Sequence, residues 1–474
     1  MEVKMNTVQD FKKIIQNNID NGIIPPYVYT YPPRSSYRDI KSYNYSIAEI
    51  WEEDKKNSAS MDLNLYIHIP FCTTKCTFCN LYSIGTPNTT IIDDYINSLC
   101  DQIHSHKKII QERALKTIYI GGGTPALLSL DHFKQIFSSI DEIYPNWRMV
   151  VEEVALEATP ISIANEPLKF KELIDMGLTR INIGVQSLDE SELASIGRKN
   201  HSNYDVIKEA FDILNSFGIA NISTDLIIGL YGQTNESWTK SIENLLELKP
   251  DTISTYYLTV RPDAKVALSR NYEYYRDPNL YERYDSSRDT LLSRGYVHDT
   301  NIRFKKMGNG GYRQKTLQFQ GIPYLGLGCG ARTYTNTVDY YFGSKPSLEQ
   351  INDYIANPYS PDTVVETGFV YTEDERIRKR FALNLFDLDL MQLKHLNIHE
   401  HTDIYENLLC AAEELGLVQV LSNTKYQLTA DGLKYRDILS WMFFSDEVKK
   451  LDNEFYLDLH NLNVGEKKKF EALI

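Results

Sequence analysis

From about residue 62 the chain alternates between two rhythms. Short apolar runs read as strands: LNLYIHI (63–69), KTIYIGG (116–122), VVEEVALEA (150–158), RINIGVQ (180–186), ISTDLIIGL (222–230) and TISTYYLTV (252–260). Longer segments with helical spacing separate them, among them DDYINSLCDQIHSHKKIIQERA, EPLKFKELIDMG and NYDVIKEAFDILNSFG. Six such units in a row predict an α/β fold on a parallel sheet, either open and doubly wound or closed toward a barrel. Residues 1–60 are polar, with Pro25, Pro26, Pro32 and Pro33, and read as an extension that wraps a larger domain. After residue 345 the rhythm stops. A Pro/Asn-rich connection leads to helical segments (EDERIRKRFALNLF, IYENLLCAAEELG) and a hairpin, VQVLSNTKYQL. Three parts are expected: 1–60, a sheet domain over 61–345, and a mainly helical C-terminal domain over 346–474. The last has a winged-helix-like order but no concentrated basic helix, which favours a lid or packing module over a DNA reader.

The placement of unusual residues carries more than the element count. Three cysteines follow the first run and GGGTP ends the second. Glu157 ends the third run, Gln186 ends the fourth, and Asp225 lies inside the fifth. A parallel sheet brings the C-terminal ends of its strands to one face, where βα folds build their sites.

Composition narrows the function classes. The formal net charge of −14 disfavours broad binding to nucleic acid or anionic lipid. The 33 tyrosines are scattered and not interleaved with a basic stripe, so they read as core residues rather than base-stacking platforms. No apolar run is long enough to span a bilayer, and MEVKMNTVQDFKK has no apolar signal core, which predicts a cytoplasmic protein. Six cysteines in 474 residues, three of them clustered, point to metal binding rather than a disulfide framework.

That cluster is YIHIPFCTTKCTFCNLYS, with Cys72, Cys76 and Cys79 spaced C-x3-C-x2-C. Zinc would need a fourth ligand, and His68 is the nearest candidate, although it sits in an apolar strand. A 4Fe–4S cluster takes one ligand per iron, so three thiolates leave one iron open to a small molecule. The spacing favours the cluster, with Phe78 placed to shield it. GGGTP lets backbone approach a ligand closely. Glu157 suits an ammonium group, Arg198 a carboxylate and Asp225 the hydroxyls of a ribose. Together with Gln186 they would recognise an amino acid carrying a nucleoside.

This ordered set, the cysteine motif followed by GGGTP, E-x-x-P, IGVQS, an IGR element and DLIIGL, resembles the radical S-adenosylmethionine (SAM) superfamily. Within it, residues 63–335 are similar to the oxygen-independent coproporphyrinogen III oxidase group, often called HemN-like. The resemblance implies a partial (β/α)6 barrel, with Cys72, Cys76 and Cys79 holding a 4Fe–4S cluster. It implies that SAM chelates the open iron, that a flavodoxin- or ferredoxin-type donor supplies an electron, and that SAM is cleaved to a 5′-deoxyadenosyl radical that abstracts a substrate hydrogen. It assigns Tyr66, Gly122 and Glu157 to one SAM and Phe78, Gly123, Thr124, Gln186, Arg198, Asp225 and Thr259 to a second. Arg332, in GLGCGARTYT, is placed near the first, and Cys329 in the same segment is read as a packing residue or a second thiol.

Two departures matter. Coproporphyrinogen oxidases carry a further cysteine two residues after the third ligand, where this chain has Leu81. The haem-chaperone branch shows a His-Asn…Tyr-Trp element before the GLG segment, and GGYRQKTLQFQGIPYLGLG lacks it. The leading expectation is therefore a radical SAM enzyme of a less characterised branch, performing methylation, cyclopropanation or porphyrin-type oxidation. The alternatives are a haem-binding chaperone on the same scaffold, a true coproporphyrinogen oxidase (disfavoured by Leu81), and a zinc-stabilised binding protein. A small-molecule or tetrapyrrole substrate is expected, and Arg261, His298 and Arg313 are candidates to face it.

Overall fold

Strands of a covered parallel sheet bury both faces, and the six apolar runs do so. In the computed structural model, whose described residues are 7–23, 25–85, 88–198, 203–259, 277–343, 346–393, 396 and 402–462, the runs become six strands. These are β1 (Asp62–Ile69), β2 (Ala114–Gly122), β3 (Glu153–Ala158), β4 (Arg180–Gln186), β5 (Asn221–Ile228) and β6 (Thr252–Tyr257). Three shorter strands join them: β7 (Tyr296–His298), β8 (Arg303–Lys306) and β9 (Tyr324–Leu327). The order is β7-β8-β6-β5-β4-β3-β2-β1-β9 in a nine-stranded sheet. Strands β1 to β6 run parallel in unbroken chain order. That order lacks the reversal of a doubly wound sheet. β9 lies parallel beside β1, whereas β8 and β7 are antiparallel additions at the other edge.

Helices α1 (Thr89–Ser105), α2 (Leu130–Ile143), α3 (Pro167–Asp175), α4 (Tyr204–Ser216), α5 (Asn235–Glu247) and α6 (Leu280–Ser293) follow the six strands in turn. Asn88, Ser129, Asn203 and Thr234 cap four of them through their side-chain oxygens. The strand period of two then sorts the residues. In β1, Leu63, Leu65, Ile67 and Ile69 are buried on one face, and Asn64 and His68 on the other. Thr117, Glu153, Arg180, Asn182 and Ser223 continue that second face across β2 to β5, and all are buried. A buried polar face is costly unless its groups are satisfied, and the site grows from it.

The chain divides into two compact units: residues 39–318 with 322–368, and residues 1–38 with 319–321 and 369–468. The polar leader is thus shared between them. In the sheet unit, helix Ile47–Asn57 buries Ile47, Ile50 and Trp51, and its Asp54 pairs with the buried Arg113 at 2.7 Å. In the other unit, helix Val8–Asp20 sinks Phe11 and Ile15 into a core that includes Phe381, Leu408 and Phe443. That unit also holds a three-stranded sheet in which Lys425–Leu428 lies between Val418–Ser422 and Leu388–Asp389. Among the described residues, no helix is long and apolar enough to cross a membrane.

Candidate cofactor site at the strand ends

The cysteine loop leaves β1 at Ile69 and is pinned at both ends. Phe71–Cys72 pairs in parallel with Ile84–Gly85, and Lys75 donates from Nζ to the carbonyls of Ser83 (3.2 Å) and Leu81 (3.4 Å). The Thr77 amide reaches the Ile196 carbonyl at 3.3 Å. Phe78 packs on a cluster of Leu193, Ile196, Ile227 and Leu230. His68 has both ring nitrogens engaged, Nδ1 with the Tyr66 hydroxyl at 2.9 Å and Nε2 with the Tyr82 carbonyl at 2.8 Å. Burial lowers it to about pKa 4. It is a satisfied structural histidine.

GGGTP lies directly on this loop. The Gly123 amide donates to the Ile69 carbonyl at 2.8 Å and the Thr124 amide to the Phe71 carbonyl at 2.7 Å. Gly122 has φ of 124°, which favours glycine, and a Cβ there would stand 2.7 Å from the Ile69 oxygen. At Gly123 a Cβ would meet the Phe71 oxygen at 2.5 Å and Cys72 Sγ at 2.8 Å. The Thr124 hydroxyl donates to Cys72 Sγ at 3.7 Å.

Strand register brings the carboxylates over. Glu157 is opposite Asn182, and Gly184 is opposite Asp225. Glu157 accepts from the Tyr119 hydroxyl at 2.8 Å and the Gly122 amide at 2.9 Å. Burial nevertheless pushes its carboxyl up to about pKa 7. Asp225 is also raised by burial, against a hydrogen bond at 2.6 Å from Asn182 Nδ2. A bulge between Gly184 and Gln186 gives Gln186 a φ of 72°. Arg198, just beyond the short helix Glu190–Ser195, reaches back to the cysteine loop, with Nε donating to Cys76 Sγ at 3.0 Å.

One pocket is therefore lined by Cys72, Cys76, Cys79, Phe78, Gly122, Gly123, Thr124, Glu157, Gln186, Arg198 and Asp225. Tyr66, Thr259 and Arg332 are not among its lining residues. Tyr66 stacks between Tyr119 and Tyr324, with ring centroids 6.0 and 5.4 Å away. Thr259 is exposed, and Arg332 lies on the short strand Arg332–Thr333. Sequence reasoning missed Tyr119 and Asn182, the partners of the two carboxylates; each falls two residues or more inside a strand, where nothing local distinguishes it. Leu81 lines the pocket and is 46% exposed. Cys329 is buried, against the Tyr82 hydroxyl at 3.2 Å, which fits packing. Arg313 pairs with Glu152, just before β3 and at the opposite end of the sheet from the pocket. His298 pairs in register with Phe304 on β8, and Arg261 lies outside the described residues.

The family model for the radical SAM superfamily matches residues 66–245. The chain is 31% identical over 271 residues to the heme chaperone HemW of Escherichia coli, covering 57% of this chain and 69% of that protein. It is 31% identical over 335 residues to HemW of Bacillus subtilis, covering 68% and 82%. The chain belongs to the radical SAM superfamily, in its HemN/HemW-like group. The radical SAM fold is also that of the solved coproporphyrinogen III oxidase (HemN) of E. coli, with a TM-score of 0.70 at 20% identity, over 88% of this chain and 96% of that one.

Membership in the radical SAM superfamily implies a 4Fe–4S cluster and SAM. The residues fit the cluster. Among the described residues no three His, Cys, Asp or Glu side chains converge to share a single metal ion, as a zinc site requires. A cluster asks instead for one thiolate per iron, and the three thiols face one pocket floored by glycine backbone. Burial raises the Cys72 thiol and pushes Cys79 up to about pKa 11, so a bound cation is what would hold them as thiolates. Gly123→Ala should break this arrangement. Its methyl must displace the cysteine loop, at about 1–3 kcal/mol for overpacking. Reconstituted iron content and SAM titration should both fall, while the ligand-free melting temperature moves by only a few degrees.

Proposed function

We propose that this protein binds a 4Fe–4S cluster through Cys72, Cys76 and Cys79 and SAM beside it, and that it uses this scaffold to handle haem. The convergence of the three thiols with Gly122, Glu157, Gln186 and Asp225 in one pocket supports the cofactor reading. On this reading the site lies at the mouth of a partial (β/α)6 barrel. When bound, the cluster supplies the electron that cleaves SAM reductively. The chain's own residues do the rest: Glu157 accepts from the amino group of SAM, the Gly122–Thr124 backbone admits the ligand without a Cβ in the way, Asp225 accepts from ribose hydroxyls, and Phe78 excludes water. A flavodoxin- or ferredoxin-type protein is the proposed electron donor.

The haem-chaperone reading is favoured by relatives of that name at 31% identity and by Leu81, where a coproporphyrinogen oxidase would carry a further thiol. The His-Asn…Tyr-Trp element of that branch is missing here, so it supplies no haem ligand in this chain. The expected result is a stoichiometric complex with a shifted Soret band on anaerobic haem titration of the cluster-loaded protein. No saturable complex, together with 5′-deoxyadenosine formed from dithionite and SAM, would sink the chaperone reading and favour the enzyme.

That second reading, radical methylation, cyclopropanation or porphyrin-type oxidation of a small molecule, is supported by one observation. Phe78, Gly123, Thr124, Gln186, Arg198 and Asp225, all the residues assigned to a second SAM except Thr259, line the same pocket as the cysteines. Two SAM equivalents bound per cluster would favour it.

A further inference from the structure

The sequence suggests Arg198 as a carboxylate partner, but the fold gives its guanidinium two other contacts. Nε donates to Cys76 Sγ at 3.0 Å, and Nη1 donates to the Gly184 carbonyl at 2.5 Å. Gly184 leaves room for this. A Cβ there would come within 3.3 Å of Nη1. The side chain is half-buried and anchored at the β4 bulge, so its charge is fixed on the sulfur rather than sampled from solvent. The hydroxyl that reaches Cys72 Sγ, from Thr124, is neutral and longer at 3.7 Å. Lys75, the cation inside the loop, spends its ammonium on the Leu81 and Ser83 carbonyls.

We propose that Arg198 sets the reduction potential of the cluster held by Cys72, Cys76 and Cys79, through a charged hydrogen bond to the Cys76 sulfur. The inference rests on the cluster-binding reading. Accepting one electron makes a cluster one unit more negative, and hydrogen bonds to its ligand sulfurs and nearby charge are what set its potential. A guanidinium donor favours the reduced state more than a neutral donor does. No bond is made or broken. The electron comes from an external one-electron reductant. Because the same guanidinium holds the Gly184 carbonyl, the potential is also tied to the β4 turn that presents Gln186 to the pocket.

The test is a dithionite titration of the anaerobically reconstituted protein, followed by electron paramagnetic resonance without SAM, so that any carboxylate contact of Arg198 plays no part. Arg198→Met is expected to weaken the reduction equilibrium about tenfold, a downward shift of about 59 mV for one electron, with iron and sulfide content unchanged. Arg198→Lys should recover most of the shift and Arg198→Gln little of it. If Arg198→Met does not retain the cluster, the Lys and Gln variants carry the comparison. Equal potentials in wild type and in the variants that hold the cluster would overturn the role of Arg198. A wild type that binds no iron and sulfide would instead overturn the cluster reading beneath it.

Discussion

Cys76→Ser should abolish cluster loading, and with it any reductive cleavage of SAM, while leaving the fold intact. Three thiolates for four irons is already the minimum, and serine offers a hard oxygen where iron–sulfur chemistry needs soft sulfur. Among the described residues no other cysteine and no histidine lines the pocket. His68 has both nitrogens hydrogen-bonded, Cys100 is buried on α1, and Cys329 is packed against Tyr82. Outer-shell changes cost about 10–100-fold in metal affinity, so loss of a ligand should exceed about 100-fold. Cys76 is itself half-buried at the pocket rather than in a core, so far-ultraviolet circular dichroism of the ligand-free variant should match wild type. Iron and sulfide assays and the visible absorption band provide the measurement. A variant that loads iron to wild-type levels would remove Cys76 from the ligand set.

Glu157→Gln should separate SAM binding from cluster binding. The carboxylate takes the Tyr119 hydroxyl on one oxygen and the Gly122 amide on the other. An amide has only one acceptor oxygen, so one of those two donors would face an NH2 group. Hydrogen bonds to a charged group contribute about 1.5–3 kcal/mol, and leaving a buried donor unpaired costs about 1–3 kcal/mol. SAM affinity should therefore fall about 10- to 100-fold in calorimetry, with iron content unchanged. The pH dependence gives a second check. With Glu157 raised to about 7 by burial in the ligand-free site, it is largely protonated below neutrality and offers an amino group only a weaker, uncharged acceptor. SAM binding favours the carboxylate, so it releases a proton and weakens as pH falls below about 7, by at most tenfold per unit. The Gln variant should lack that slope. Parallel pH profiles in wild type and variant would show that Glu157 is not the group SAM contacts.

How much of this was legible beforehand follows from the range over which each signal acts. Element type is encoded locally, through a period of two or of 3.6. The six strands, the helices between them and the loop positions of the cysteines and glycines could therefore be read directly. Their convergence also followed, because any parallel sheet gathers its strand C-termini on one face. The sequence alone left open whether the sheet was doubly wound, and it treated residues 1–60 as one piece. Nor did it reveal that Tyr324–Leu327 lies beside β1. Those are questions of pairing between distant segments, on which local periodicity is silent.

The same division runs through the site. The sequence by itself determined which chemical groups are present and that strand ends would bring them together: three thiols, a glycine turn, two carboxylates, Gln186 and Arg198. Only the tertiary structure decided whom each one touches. It paired Glu157 with Tyr119, Asp225 with Asn182, and Arg198 with a sulfur 122 positions away in the chain. It also left Tyr66, Thr259 and Arg332 out of the pocket lining. The physical reason is that a side chain's partner depends on strand register and on the direction of Cβ, and both are set by packing across the whole sheet rather than by neighbouring residues.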